Sequence, residues 1–294
     1  MPLPLIHYLY PSGLPKYLRQ HPNGDASWAL VTGASDGIGR ALCTELAAWG
    51  FNVVLHGRNE AKLQKCREEL EAAFPKRHFR MVAVDASNFI QADIDRVVAS
   101  VSDVPLTVLI NNVGGTAPLS SNFKHFEDTT PTEIDAVFSL NVKFPLKLTN
   151  ALLPGLQAQQ KPTLVVTCGS QSQIGQPYVS AYSATKGALH TWNRALAAEQ
   201  HEAKSQVEIL EVIIGATYTQ QLQKDPNMKP GVMMPTAEVM AKAVLARLGH
   251  GHRFVYAYFW HNVQTWLLYT LMPVATADSI VAGILKPSVE AKSK

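Results

Sequence analysis

Two hydrophobic rhythms alternate along the chain. Short apolar runs at "WALVT", "NVVLH", "FRMVAV", "TVLIN", "TLVVTC" and "EILEVII" are continuous rather than alternating, so they read as strands of a parallel sheet buried on both faces. Between them lie amphipathic stretches of helical period at roughly 37–49, 60–73, 89–101, 131–158 and 180–204. This alternation predicts an α/β fold: a doubly wound, Rossmann-type parallel sheet flanked by helices, as a single domain over 27–294 behind an N-terminal arm, 1–26. In such sheets ligands bind beyond the carboxyl ends of the strands, which makes the residues just after each apolar run the first candidates for chemistry.

The helix over 131–158 starts well, with Thr130 as cap, Pro131 at the first helical position and Glu133 three residues after the cap. Asn141 then sits inside it, where an amide competes for backbone groups, and Pro145 follows, so a bend is expected there. In the arm, Pro2, Pro4, Pro11 and Pro15 break a short apolar stretch that no basic residue precedes. It reads as an irregular arm rather than a secretory leader.

Candidate chemistry begins after the first strand, in "LVTGASDGIGRAL". Gly33, Gly37 and Gly39 permit a tight turn and close approach of the backbone to a pyrophosphate resting on a helix N-terminus; Ser35, Asp36 and Ile38 belong to the same loop. About 20 residues beyond such a loop, an acid holds the ribose hydroxyl of NAD, whereas an arginine suits the phosphate of NADP. Here the second strand ends in Gly57 and Arg58 with no carboxylate among 55–59, which argues for NADP(H). Asp36 argues mildly the other way, with Arg40 placed to offset it. Further on, "SAYSATKG" puts Tyr182 and Lys186 on one helical face. A cation beside a phenol favours the phenolate, the direction a proton-exchanging tyrosine needs.

Together these residues resemble the short-chain dehydrogenase/reductase family. The resemblance runs from "TGASDGIG" through "NNVG" (111–114) and Asn141 to "YSATK" (182–186) and "IGATYT" (214–219), covering roughly 27–260. It is closest to the branch of very-long-chain 3-oxoacyl-CoA reductases and 17β-hydroxysteroid dehydrogenases. It implies a catalytic set of Asn141, a serine, Tyr182 and Lys186. Tyr182 would protonate a carbonyl oxygen as hydride arrives, Lys186 would hold the nicotinamide ribose, and Asn141 would position a water in the proton relay. The family's usual spacing puts the serine at Gly169; Ser170 stands one residue on and Ser172 three, and Ser170 is the expected one. On the cofactor side the resemblance adds Asp85, Asn111 and Gly114, then Gly215, Thr217 and Thr219 in a loop where Ile214 replaces the family's usual proline. The expected activity is reduction of a hydrophobic ketone, reversible as alcohol oxidation. The rival is a non-catalytic NADP(H)-binding scaffold or sensor.

After Thr219, a substrate loop is expected over about 219–235, with Met228, Met233 and Met234 as an adaptable apolar wall. The apolar stretch 254–273, interrupted by His261, Asn262 and Gln264, reads as a last strand followed by a helix. The apolar segment over 259–285 is expected to close the substrate pocket or meet a partner: a second copy in a homodimer, or a membrane surface touched peripherally. A net charge of +3 and the lack of long basic runs exclude nucleic acid as a partner. Cys43, Cys66 and Cys168 fit no metal or disulfide pattern, consistent with a reducing, cytoplasmic setting and no metal.

Overall fold

One sheet holds seven parallel strands in the order β3-β2-β1-β4-β5-β6-β7. They are β1 (Trp28–Thr32), β2 (Asn52–Gly57), β3 (Phe79–Ala83), β4 (Leu106–Asn111), β5 (Thr163–Ser170), β6 (Val207–Ile214) and β7 (Phe254–Tyr256). The structure, a computed structural model, describes residues 5–21, 24, 26–220, 222–224 and 228–290. Positions 1–4, 22, 23 and 25 of the arm and 221 and 225–227 of the expected substrate loop therefore lie outside the described residues.

The helices are α1 (Gly37–Trp49), α2 (Glu60–Ala73), α3 (Gln91–Ala99), α4 (Pro131–Phe138), α5 (Phe144–Ala158), α6 (Ser180–Glu202), α7 (Ala237–Ala246), α8 (Phe259–Leu271) and α9 (Val274–Glu290). They bury the sheet from both sides, which is why the strands are apolar throughout. In β1, Ala29 and Val31 enter one core with Leu42 of α1 and Met240 of α7. Trp28 and Leu30 enter the other with Ile94 of α3 and Leu148 of α5. Each such aliphatic side chain removed from water contributes about 1.5–3 kcal/mol before entropy is counted.

The helix expected over 131–158 is broken by a π turn at Ser139–Lys143. Its start is as anticipated: Thr130 N–H donates to Glu133 Oε2 at 2.8 Å and Glu133 N–H to Thr130 Oγ1 at 3.2 Å. Lys124 and two backbone N–H groups hold the Glu133 carboxyl well below the usual carboxylate range. The break centres on Asn141 rather than on Pro145. The Asn141 amide donates to the Val137 carbonyl at 3.0 Å, a side chain taking a helical acceptor. The apolar C-terminal segment is two helices, with Pro273 in the turn between them.

The N-terminal arm packs on the α7–β7 connection. Leu14 and Tyr17 are buried, Gly13 N–H donates to the Leu248 carbonyl at 2.8 Å, and Tyr17 Oη donates to Glu208 at 2.6 Å. Gly13 and Gly249 approach so closely that a side chain on either would meet the other's backbone.

Strand β6, next to the edge strand β7, carries a buried charge. Glu211 accepts from or shares a proton with His190 Nδ1 of α6 at 2.5 Å, and its second oxygen has no hydrogen-bond partner. That hydrogen bond outweighs burial and raises the His190 pKa above its ordinary 6.5. A base whose folded pKa is raised stabilises the fold fully below its unfolded pKa and loses that contribution as pH rises through the folded value. The melting temperature of the native protein should therefore fall, relative to Glu211→Gln, as pH rises from about 6.5 through the raised His190 value. Parallel melting curves for the two proteins across that window would remove the pair from the stability of the fold.

Candidate active site

A cavity of about 1120 Å³ opens along the carboxyl ends of the strands. Its floor is the β1–α1 loop. Gly33 takes φ 70° and Gly37 φ 51°, and a Cβ on Gly39 would collide with the Gly33 carbonyl, so the first turn of α1 can lie against the loop only without side chains there. Asp36 caps α1, accepting from Gly37 N–H at 2.7 Å, and its other oxygen meets Lys62 Nζ at 3.4 Å. Lys62, not Arg40, therefore offsets the Asp36 charge, because Arg40 is paired with Glu69. A glycine-lined cradle at a helix start fits a pyrophosphate.

Ser35 and Arg58 line the same cavity, and a Cβ on Gly57 would lie 3.3 Å from Ser35 Oγ. Asp85, beyond β3, also lines it and holds its own turn by accepting from Ser87 N–H at 2.9 Å and Ser87 Oγ at 2.7 Å. Asn111 does not line the cavity. It is buried in β4 and donates to Thr149 Oγ1 of α5 at 2.8 Å, tying helix to sheet. Its neighbour Asn112 lines the cavity instead and donates to the Thr32 carbonyl at 2.9 Å. His56, at the end of β2, was not among the expected site residues. It stacks on Phe144 at 4.9 Å, and burial pulls its pKa down to about 4 against the opposing Asp85 charge.

The residues expected to carry the chemistry converge. Lys186 is only 4% exposed and donates to the Cys168 carbonyl at 2.7 Å, with its ammonium 5.7 Å from the Tyr182 ring centre. Asn141 accepts from Gly115 N–H at 2.8 Å and donates to the Gly115 carbonyl at 3.0 Å, fixing the loop after β4. A Cβ on Gly114 would fall 2.7 Å from Asn141 Oδ1 and 3.4 Å from Lys186 Nζ. Gly114 is thus where the β4 loop, the π turn and α6 meet.

Ser170 ends β5 and caps the short 3₁₀ turn Gln171–Ile174, in which Ser172 lies. Ser170 Oγ accepts from Ser172 N–H at 3.1 Å, which leaves its own proton uncommitted. The Ser172 hydroxyl donates to Gln176 Oε1 at 2.7 Å. Gly215, Thr217 and Thr219 line the cavity after β6, with Thr217 Oγ1 donating to the Gly215 carbonyl at 3.0 Å.

His261 is the site residue that the sequence did not disclose. Gly215 N–H donates to His261 Nδ1 at 3.1 Å and His261 Nε2 meets the Met233 carbonyl at 3.2 Å, an arrangement that specifies the neutral Nε2–H tautomer. Burial lowers the His261 pKa, opposed by the Met233 carbonyl. Gln171 adds bonds to the His261 carbonyl at 3.0 Å and Thr265 Oγ1 at 2.8 Å, so α8 is pinned to the loops after β5 and β6. The only signal in the sequence was a histidine inside an apolar run.

Fold and cavity define a dinucleotide-dependent oxidoreductase, and the comparisons agree. Residues 27–230 match the short chain dehydrogenase family, and the chain belongs to it. A very-long-chain 3-oxoacyl-CoA reductase of Podospora anserina is 31% identical over 82% of this chain and 70% of its own. Among solved structures, a 7β-hydroxysteroid dehydrogenase superposes with TM-score 0.76 at 22% identity, covering 92% of this chain and 99% of that one. A Sphingobium yanoikuyae short-chain dehydrogenase in complex with NADPH gives 0.69 at 21% identity, covering 78% and 87%.

The hydroxyl geometry predicts different consequences for two neighbouring substitutions. Ser170→Ala should lower kcat on a carbonyl substrate roughly 100-fold, the scale for losing an oxyanion donor. Ser172→Ala should cost less than about tenfold, because its proton is already given to Gln176. Steady-state kinetics with the order reversed would transfer the role to Ser172.

Proposed function

We propose that the protein is an NADPH-dependent reductase of hydrophobic ketones, working in reverse as an alcohol dehydrogenase. The observation that carries this reading is that Tyr182, Lys186, Gly114 and Ser170 line one cavity with the glycine cradle of α1, with Asn141 buried against Gly114. NADPH, when bound, supplies the hydride. Gly33, Gly37 and Gly39 would admit its pyrophosphate, and Ser35 and Arg58 would hold the phosphate on its ribose. Ser170 donates its free proton to the substrate carbonyl and so positions that oxygen for Tyr182. Tyr182 gives its proton to the carbonyl oxygen as the hydride arrives at the carbon. Pro145 has no N–H for the carbonyl four residues back, so the Asn141 main-chain oxygen is left to accept from a water that refills the relay.

Apolar substrate is supported by the far wall, where Leu268 of α8, Val281 and Leu285 of α9, and Met228, Met233 and Met234 line the cavity. The reductase and hydroxysteroid dehydrogenase names of the similar proteins support the same substrate range. Expected over 219–235, the substrate loop is the segment that His261 fastens through Met233.

Tyr182→Phe should abolish turnover on a proven ketone while leaving NADPH affinity within about twofold, since only the transferable proton is lost. Substantial residual reduction by that variant would mean that another group is the acid. Arg58→Ala should weaken NADPH binding by about tenfold and leave NADH nearly unchanged, the low end for an exposed charge-assisted contact. Equal affinity of the native protein for the two cofactors, measured by fluorescence titration, would remove the NADPH assignment while sparing the reductase.

A further inference from the structure

Helix α8 divides its side chains. Gln264, Thr265, Leu268 and Tyr269 line the cavity, while Trp260, Leu267 and Leu271 stay exposed. Three of these four inward residues are polar, and Thr265 Oγ1 already accepts from Gln171 at 2.8 Å. The Tyr269 hydroxyl is shielded from solvent and has no hydrogen-bond partner of ordinary length. The Gln176 side chain, from the loop before α6, acts on it and also lines the cavity. Gln176 Oε1 already accepts from Ser172, so the amide has only its N–H groups left to offer. Burial, with the Asp278 charge added, raises the Tyr269 pKa, so the phenol stays a neutral donor.

The phenol oxygen can accept from one Gln176 N–H, which leaves the Tyr269 O–H and the second Gln176 N–H as donors in the cavity wall, and an acceptor oxygen matches them. A methylene placed there leaves a buried donor unsatisfied, a cost of about 1–3 kcal/mol, whereas an oxygen removes it. We propose that Tyr269 and Gln176 form a second polar subsite that binds a carbonyl or hydroxyl oxygen of the ketone substrate other than the one reduced. The proposal rests on the reductase reading above and narrows it: the substrate is an oxygenated ketone, not a plain alkyl or monofunctional ring ketone. The hydrogen-bonded chain Ser170–Ser172–Gln176 ties this subsite to the serine next to the reacting carbonyl. Two sources supply such an oxygen: the thioester carbonyl of a 3-oxoacyl group, or a second oxygen on a fused-ring skeleton.

The test uses the NADPH-loaded full chain and two matched pairs of probes. One pair is a 3-oxoacyl thioester of N-acetylcysteamine and the simple alkyl ketone of equal length. The other is a fused-ring dione and its monoketone. In the native protein the oxygenated member of one pair should show a KM about 3- to 10-fold lower than its partner, the span of one hydrogen bond. Tyr269→Phe and Gln176→Leu should each cancel that advantage, and Tyr269→Phe should do so with the deoxygenated partner's kinetics and the melting temperature unchanged. The pair that responds identifies the source of the oxygen. Equal KM values within both pairs, or a Tyr269→Phe variant that weakens both members of a pair alike, would overturn the subsite while leaving the reductase intact. No reduction of any probe with NADPH or NADH would overturn the reductase reading itself.

Discussion

The site depends on burying the Lys186 ammonium. An unpaired cation in a nearly dry setting costs several kcal/mol, and among described residues its one direct hydrogen-bond acceptor is the neutral Cys168 carbonyl. A buried anion, Glu211, stands on the neighbouring strand, where it is bonded to His190. Both charges act on the Cys168 thiol, Lys186 lowering its pKa and Glu211 raising it, while burial carries it up to about 12. The β5 segment Cys168–Gly169–Ser170 therefore runs between a buried cation and a buried anion. This explains Gly169, which occupies the position where the family's spacing would put its serine. Any Cβ there would collide with the Glu211 carboxylate, so the strand carries glycine and the hydroxyl appears at Ser170.

A second constraint is conformational. A regular helix through 131–158 would keep the Asn141 amide from satisfying both hydrogen-bonding groups of Gly115 while also taking the Val137 carbonyl. The π turn admits the extra residue and rotates the Asn141 side chain onto the β4 loop. Gly114 then lies where nothing larger fits between Asn141 and Lys186. The residue that looks least suited to a helix is the one that joins three elements at the site, and Pro145 keeps the turn from relaxing into α-helix.

What could be read from the sequence follows from the range of each interaction. The strands were legible because burial on both faces makes them uniformly apolar, and the β1–α1 loop because its glycines answer to local geometry. Tyr182 and Lys186 were legible because one helical turn separates them. Contacts between distant segments were not. Nothing local distinguishes Asn111, which faces α5, from Asn112, which faces the cavity; strand alternation separates them only once the register is known. Arg40 and Lys62 are both plausible partners of Asp36 until the position of Glu69 is known. Helix α7 went unanticipated although Thr236 caps it, because its apolar face is short and follows a loop rich in proline and methionine.

The C-terminal hairpin supplies one wall of the cavity. Strand β7 completes the sheet, so α8 and α9 add nothing to its hydrogen bonding. Helix α8 is held instead by polar contacts on the cavity side, from Gln171, from the Gly215 N–H and from the Met233 carbonyl, through His261 and Thr265, and α9 by burying Ala277, Val281 and Val289. A Cβ on Gly215 would strike both Gln171 and His261, so the loop after β6 has given up the side chain that would block this docking. The same loop carries Thr217 and Thr219, which line the same cavity. A shift of α8 is therefore a shift of the Gly215 main chain, and the α8 wall and the loop after β6 are mechanically one piece. Among described residues no helix is long and apolar enough to cross a membrane. The apolar residues of α8 thus divide between an inner wall, which His261 keeps in place, and an exposed row at Trp260, Leu267 and Leu271 that the docking leaves free.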